Sequence, residues 1–310
     1  MGLPNTMGLP NFLILGTAKA GTTALYEYLR PHPQVFMSTP KEPKFFAYPG
    51  KDPGFGGPGD HEFNRLIVTD PEKYRHLFDQ ALPEQTARGE ATAIYLYLPQ
   101  VPEKIRQYVP KAQLFAFLRS PVERAYSAFL HLRRQGREPI SDFLKAVGHE
   151  PLRIRKNYHP LWHYKSMGMY YTQVKRYCEQ FSREQFHVYL YEDLKNNPVG
   201  VVKEMLEILG LDTNYMPDLS PKHNEGRLAK SVSRQRWIER AKRSNRSLRK
   251  VLPGPLRWRV TKTIETLEER NKIPAPRLTQ ETRTVLVPEF REDVLRLQDL
   301  LGRDLSSWLA

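Results

Sequence analysis

Apolar residues along this chain fall into two patterns. Short unbroken runs, NFLILG (11–16), QVFMST (34–39), QLFAFLR (113–119) and FHVYLYED (186–193), are rich in branched and aromatic residues. Such runs suit strands buried on both faces. Between them, residues 22–30, 122–134, 172–179 and 201–209 space their apolar positions three and four apart, as a helix with one covered face requires. The alternation predicts an α/β fold with a central, mostly parallel sheet flanked by helices. Residues 48–60, YPGKDPGFGGPGD, hold too much glycine and proline for either element and read as a mobile surface loop.

Charge changes the picture in one place. The chain has 310 residues and a net charge of +14, and residues 227–262 hold thirteen Lys/Arg against one acid, Glu239. In RQRWIERAKRSNRSLRKVLPGPLRWRV (234–260), Trp237, Ile238, Leu248, Val251, Leu252 and Trp258 interleave with the arginines. That pattern predicts a basic amphipathic helix, a Pro-Gly-Pro break and a second short helix. It is either a solvated cap or a landing surface for an anionic membrane or an acidic partner. The regular aromatic spacing of a single-strand binder is missing, which argues against nucleic acid.

Length and apolar content allow a single domain over 1–310, divided into an α/β core (11–226), the basic helical segment (227–275) and a C-terminal helix (276–310). No apolar run approaches the ~20 residues that span a bilayer, and MGLPNTMGLPN lacks the features of a signal peptide. Cys178 is the only cysteine, so an internal disulfide and a cysteine-based metal cluster are excluded. The expectation is a soluble cytoplasmic protein, with the basic segment as its route to a peripheral membrane contact.

Gly16 and Gly21 stand five apart between a strand pattern and a helix pattern, the spacing of the nucleotide-triphosphate loop G-x-x-x-x-G-K-[ST]. Backbone amides in such a turn, with the positive end of the next helix, cradle an anion. The lysine expected after the second glycine is absent; Thr22 and Thr23 follow, and Lys19 lies inside the loop. A kinase would lose a main γ-phosphate contact, although VYLYED, ending at Asp193, resembles a Walker-B strand. His159 and His163 in HPLWH have helical metal-ligand spacing, but Pro160 and the lack of an accompanying carboxylate pattern weaken that reading.

GTAKAGTT (16–23) resembles the 5'-phosphosulfate loop of sulfotransferases that use 3'-phosphoadenosine 5'-phosphosulfate (PAPS). FAFLRSPVERAYSAFLH (115–131) is similar to that family's 3'-phosphate motif, a strand-end arginine and a serine eight residues later, here Arg119 and Ser127. The resemblance implies that Lys19, Ala20, Gly21, Thr22, Thr23, Arg119 and Ser127 bind the donor. TPKEPKFFAYP resembles the K-E-P-x-F-F segment of the glycan and bacterial branch, which implies Glu42 as catalytic base and Lys41 as an acceptor contact. GEATAIYL resembles the acceptor-cleft segment, implying acceptor contacts from Thr92 and Tyr95; some heparan-modifying members carry a lysine where this chain has Ala91. LYEDLK points to Tyr191 near the adenine, and KHNEGRLAK to Arg227 as a further 3'-phosphate ligand. LGRDLSSWL is a familiar ending in bacterial members.

The resemblance thus implies sulfuryl transfer from PAPS to a hydroxyl, in preference to an amine, without a metal and with 3'-phosphoadenosine 5'-phosphate (PAP) as product. Lys19 would stabilise the leaving phosphate. His131 is the alternative base, because cytosolic members use a histidine. The acceptor is open among a sugar, a lipid, a carrier-bound polyketide and a small metabolite, any of them acidic. A nucleotide kinase and a non-catalytic nucleotide- or nucleic-acid-binding protein are the competing functions.

Overall fold

Four strands form where the apolar runs place them: β1 (Phe12–Gly16), β2 (Val35–Met37), β4 (Gln113–Leu118) and β5 (Phe186–Leu190). A further strand, β3 (Ala87–Ala91), completes a parallel sheet of order β2-β3-β1-β4-β5. The computed structural model describes residues 8–220, 227–248, 254–274 and 276–310.

Both faces of the sheet are covered, which explains the unbroken apolar runs. Phe12, Ile14, Phe115 and Phe117 point to one side, against Leu25 and Leu29 of α1 (Thr22–Leu29). Leu13, Leu15, Leu114 and Leu118 point to the other side, against Val122, Ala125 and Phe129 of α2 (Pro121–Arg134) and Tyr170, Val174 and Tyr177 of α3 (Tyr170–Cys178). At the end of β5 the chain turns directly into α4 (Tyr191–Asn196) and then α5 (Pro198–Ile208), whose Val202 and Met205 close the α1 side.

The basic segment forms two helices of equal length, α6 (Val232–Leu248) and α7 (Gly254–Arg270), where the sequence suggested a short second one. A small antiparallel ribbon, β6 (Arg227–Ala229) with β7 (Lys272–Pro274), joins their outer ends. Lys242 bridges the pair by contacting Glu239 at 3.3 Å and Glu268 at 2.8 Å. Ile238 is buried, whereas Trp237 and Trp258 are 56% and 61% exposed. No helix among the described residues is long and apolar enough to cross a membrane.

The last long helix, α8 (Gln280–Leu301), returns to the core through Phe290, Val294 and Leu297. Asp293 caps α3, accepting the Tyr170 amide at 2.7 Å and the Tyr171 amide at 3.2 Å. Arg283 pairs with Glu123 on α2.

The glycine-rich stretch 48–60 is tied down rather than loose. Asp60 at its end is fully buried and accepts the amides of Gly57 (3.0 Å) and His159 (2.8 Å), the Trp162 indole (3.1 Å) and the Arg137 guanidinium. A buried carboxylate persists only with such partners, and here they fasten the loop to residues 157–162.

Candidate active site

The turn after β1 is built by backbone geometry that side chains resist. Gly16 has φ +127°, and a Cβ there would lie 2.5 Å from the Ala93 carbonyl oxygen. Gly21 has φ +89°, and its Cβ would lie 2.6 Å from Leu194 Cδ2. Lys19, between them, also holds a left-handed φ of +77°, a conformation that costs a non-glycine residue energy and concentrates at functional sites. The Thr17 amide pins the turn to β4 by donating to the Phe117 carbonyl at 2.7 Å.

A cavity of about 640 Å³ opens over this turn. Lys19, Gly21, Thr22, Thr23, Glu42, Arg119, Ser127, His131 and Tyr191 all line it. Sequence-distant candidates therefore meet in one place. Arg119, just past β4, donates to the Lys19 carbonyl at 3.2 Å and lies 4.7 Å from the Tyr191 ring. It thereby joins the loop to the aromatic wall begun by α4. Tyr191 is the first residue of that helix, not the end of a strand.

Glu42 stands across the cavity on a backbone kink, with φ +62° at Glu42 and +60° at Lys44 on either side of Pro43. Lys41 Nζ lies 3.3 Å from one carboxylate oxygen and Lys44 Nζ 3.6 Å from the other. Burial pushes this carboxyl's pKa up, but the two ammoniums outweigh it, so the group sits below the ordinary range. Lys44 is itself buried and also donates to the Glu42 carbonyl at 3.2 Å. Sequence reading passed over it, although it belongs to the same KEPK stretch. Lys19 is lowered to about 8, first by burial and then by the neighbouring Arg134 and Arg119.

His131 is fixed in one tautomer. Arg134 can only donate, and its guanidinium lies 2.9 Å from Nδ1, so the ring proton is on Nε2. Burial, with Lys19, Arg134 and Arg137 nearby, keeps the imidazole well below its usual pKa.

Several expectations need correction. Thr92 and Tyr95 are fully buried and are not among the cavity's lining residues; their hydroxyls donate to Glu90 at 2.8 and 2.9 Å, beside Tyr74 at 2.7 Å. Glu90 has no solvent, so its neighbours must satisfy it, and burial still raises it to about 7. Ala20 is likewise buried away from the cavity, its amide turned to the Thr17 carbonyl at 3.2 Å. Lys41 reaches the site only through Glu42. Asp193 does not face the phosphate turn as a Walker-B acid would; it accepts the Leu190 amide and pairs with Arg303.

The two histidines of HPLWH diverge. His159 lines the cavity, stacks on Phe63 at 4.1 Å and accepts the Leu161 amide at 3.1 Å, whereas His163 meets the Tyr97 hydroxyl at 3.0 Å. Among the described residues no three His, Cys, Asp or Glu side chains gather as a metal site. The Arg227 side chain and residues 222–226 of KHNEGRLAK lie outside the described residues. Phe63 and Arg134 were not singled out from sequence, yet Arg134 was readable: it follows Ser127 by seven residues, on the same face of α2.

A parallel sheet whose first strand delivers a glycine-bounded turn into a cleft shared by a strand-end arginine and a carboxylate defines an α/β enzyme of the phosphate-loop class. The profile described as the sulfotransferase family matches residues 10–215, and the chain belongs to that family. A sulfotransferase from Alicyclobacillus acidocaldarius, solved by crystallography, is 32% identical and superposes with a TM-score of 0.75 over 97% of this chain and 99% of that one. Among curated relatives, a mouse bifunctional heparan sulfate N-deacetylase/N-sulfotransferase 4 is 24% identical, matching 97% of this chain. Mouse heparan sulfate glucosamine 3-O-sulfotransferase 6 is 28% identical over 68% of this chain. The matches span 31% and 56% of those two proteins' own lengths.

Proposed function

We propose that this sulfotransferase moves a sulfuryl group from PAPS to a hydroxyl of its acceptor, with Glu42 as general base and Lys19 facing the leaving phosphate. The observation that carries the reading is the single cavity in which the glycine turn, Arg119 with Ser127, and Glu42 converge. When bound, PAPS supplies the sulfuryl group and departs as PAP. The backbone turn and Lys19 suit its 5' end, and Arg119 and Ser127 suit the 3'-phosphate, for which a planar guanidinium is well matched. Tyr191 offers a flat face to the base.

In the transfer, the acceptor oxygen forms the new bond to sulfur while the sulfur–oxygen bond to the phosphate breaks. The hydroxyl proton passes to Glu42, and the electron pair stays on the phosphate oxygen, near the Lys19 ammonium. A hydroxyl must lose its proton as it attacks, and a carboxylate kept ionised is ready to take it. His131 suits the base role poorly, because one ring nitrogen accepts from Arg134 and the other carries the proton.

On this reading residues 11–226 carry the reaction, the basic charge of 227–275 attracts an acidic acceptor, and 276–310 brace the helix bearing Ser127. Calorimetric titration with PAP and ATP tests the donor: PAP should bind far more tightly and without Mg²⁺, and equal affinities would sink the proposal. Glu42→Gln should lower turnover roughly 10²–10⁴-fold, the range for a lost general base, with PAP affinity unchanged.

A further inference from the structure

The cavity is lined by two cations beyond Lys19 and Arg119: Lys195, on α4 with Tyr191, and Arg134. Arg134 lines it from the last turn of α2. Arg134 lies seven residues beyond Ser127 on the same face of α2, about 10 Å along the helix axis. Its hydrogen bond goes to the His131 ring at 2.9 Å. Burial alone pulls its pKa down, with no carboxylate to push it back, and among the described residues no acid pairs with it. It lies close enough to Lys19 to lower that lysine's pKa. A guanidinium that faces the cleft with no acid paired to it among the described residues is a place for an anion.

The surroundings indicate which end of the cavity this is. Arg134 touches His131, whose ring also feels Arg137, and Arg137 lies 4.2 Å from the Phe63 ring. Phe63 stacks on His159, and Lys44, the partner of Glu42, lies 5.7 Å from the Phe63 ring. These contacts connect Arg134 to the Glu42 side, and its proximity to Lys19 sets it beside the glycine turn as well. Phe63, Ile94, Leu130 and Leu161 give the cavity apolar lining.

We propose that Arg134 is the anchor for an oxyanion carried by the acceptor, so that the sulfated hydroxyl belongs to a molecule with an apolar or ring-bearing body and a carboxylate or similar group. The proposal rests on the sulfotransferase reading of the cavity. The guanidinium fork holds the oxyanion, the apolar wall covers the body, and the hydroxyl is left facing Glu42. Arg134 is in this sense a specificity-determining residue, not a part of the donor site.

The test is calorimetric binding of 4-hydroxyphenylacetate and its neutral amide to the PAP-loaded protein. The carboxylate should bind about tenfold or more tightly than the amide, the worth of a charge-assisted hydrogen bond. Arg134→Gln should erase that difference while leaving amide and PAP affinities unchanged. Arg134→Lys should restore part of it, since a point charge lacks the fork. No carboxylate preference in the wild type, including no binding of either probe, overturns the proposal, as does a preference that survives Arg134→Gln. PAP binding weakened by Arg134→Gln would instead assign the residue to the donor. Failure of the wild type to bind PAP at all would sink the sulfotransferase reading beneath it.

Discussion

Replacing Lys44 by methionine should raise the pKa of Glu42. The substitution keeps the length of the buried side chain and removes its charge, which lies 3.6 Å from the Glu42 carboxylate. At that separation two unit charges attract by about 1 kcal/mol in bulk water and about 4–5 kcal/mol at an effective dielectric of 20. The Glu42 side chain is 27% exposed, so water reaches it and the lower part of that range applies. A loss of about 1–2 kcal/mol corresponds to roughly one pKa unit, upward, because the vanished cation had favoured the ionised form. Burial continues to push the same way, with Lys41 the strongest cation left to oppose it. Glutamate labelled with ¹³C at the carboxyl carbon reports the titration directly, the Glu42 signal being the one absent from Glu42→Gln. The acid limb of turnover should move to higher pH by the same amount. An unmoved titration in a folded Lys44→Met protein would refute the electrostatic account of this site.

Three further outcomes are expected. PAP affinity should fall as pH rises through about 8, where Lys19 loses its proton, and binding at slightly higher pH should take up a proton, visible as a buffer-dependent calorimetric heat. Gly21→Ala should weaken PAP binding about tenfold or more, because alanine at φ +89° pays about 1–2 kcal/mol and its methyl crowds Leu194; unchanged affinity would show that the turn tolerates a side chain. Thr92→Val removes a donor from the buried Glu90 carboxylate and should cost about 1–3 kcal/mol of stability in denaturant unfolding, while PAP and acceptor binding stay as they were. Loss of acceptor binding at full stability would return Thr92 to the cleft.

Apolar runs announced four strands because each is buried on both faces, and their failure at β3 has a specific cause. ARGEA holds a glycine where the Phe12 ring lies against the strand, only 2.1 Å from where a Cβ would stand, and a glutamate buried among hydroxyls. Neither feature looks like a strand until its neighbours are known. The glycine turn was readable because glycine spacing reports backbone geometry, and the meeting of Arg119 and Ser127 in one cavity because their spacing follows a strand end and a helix. Lys44 was not, since a lysine in a polar stretch normally faces water; its burial depends on Phe63 arriving from another segment and on the kink that turns it back toward Glu42. Thr92 and Tyr95 were misplaced for the converse reason: hydroxyls near a site suggest contact with a ligand, but a buried carboxylate claims them first.

Glu123 is shared by two arginines, Arg119 at 3.4 Å and Arg283 from the far end of the chain. An anion arriving at Arg119 can therefore draw that guanidinium away without leaving Glu123 alone, because Arg283 stays with it. Were the chain to stop before residue 276, Arg119 would be the remaining arginine on Glu123, and the carboxylate would compete with the anion of the proposed donor site for that guanidinium. The C-terminal helix, none of whose residues line the cavity, thus shares a carboxylate that would otherwise belong to Arg119 alone.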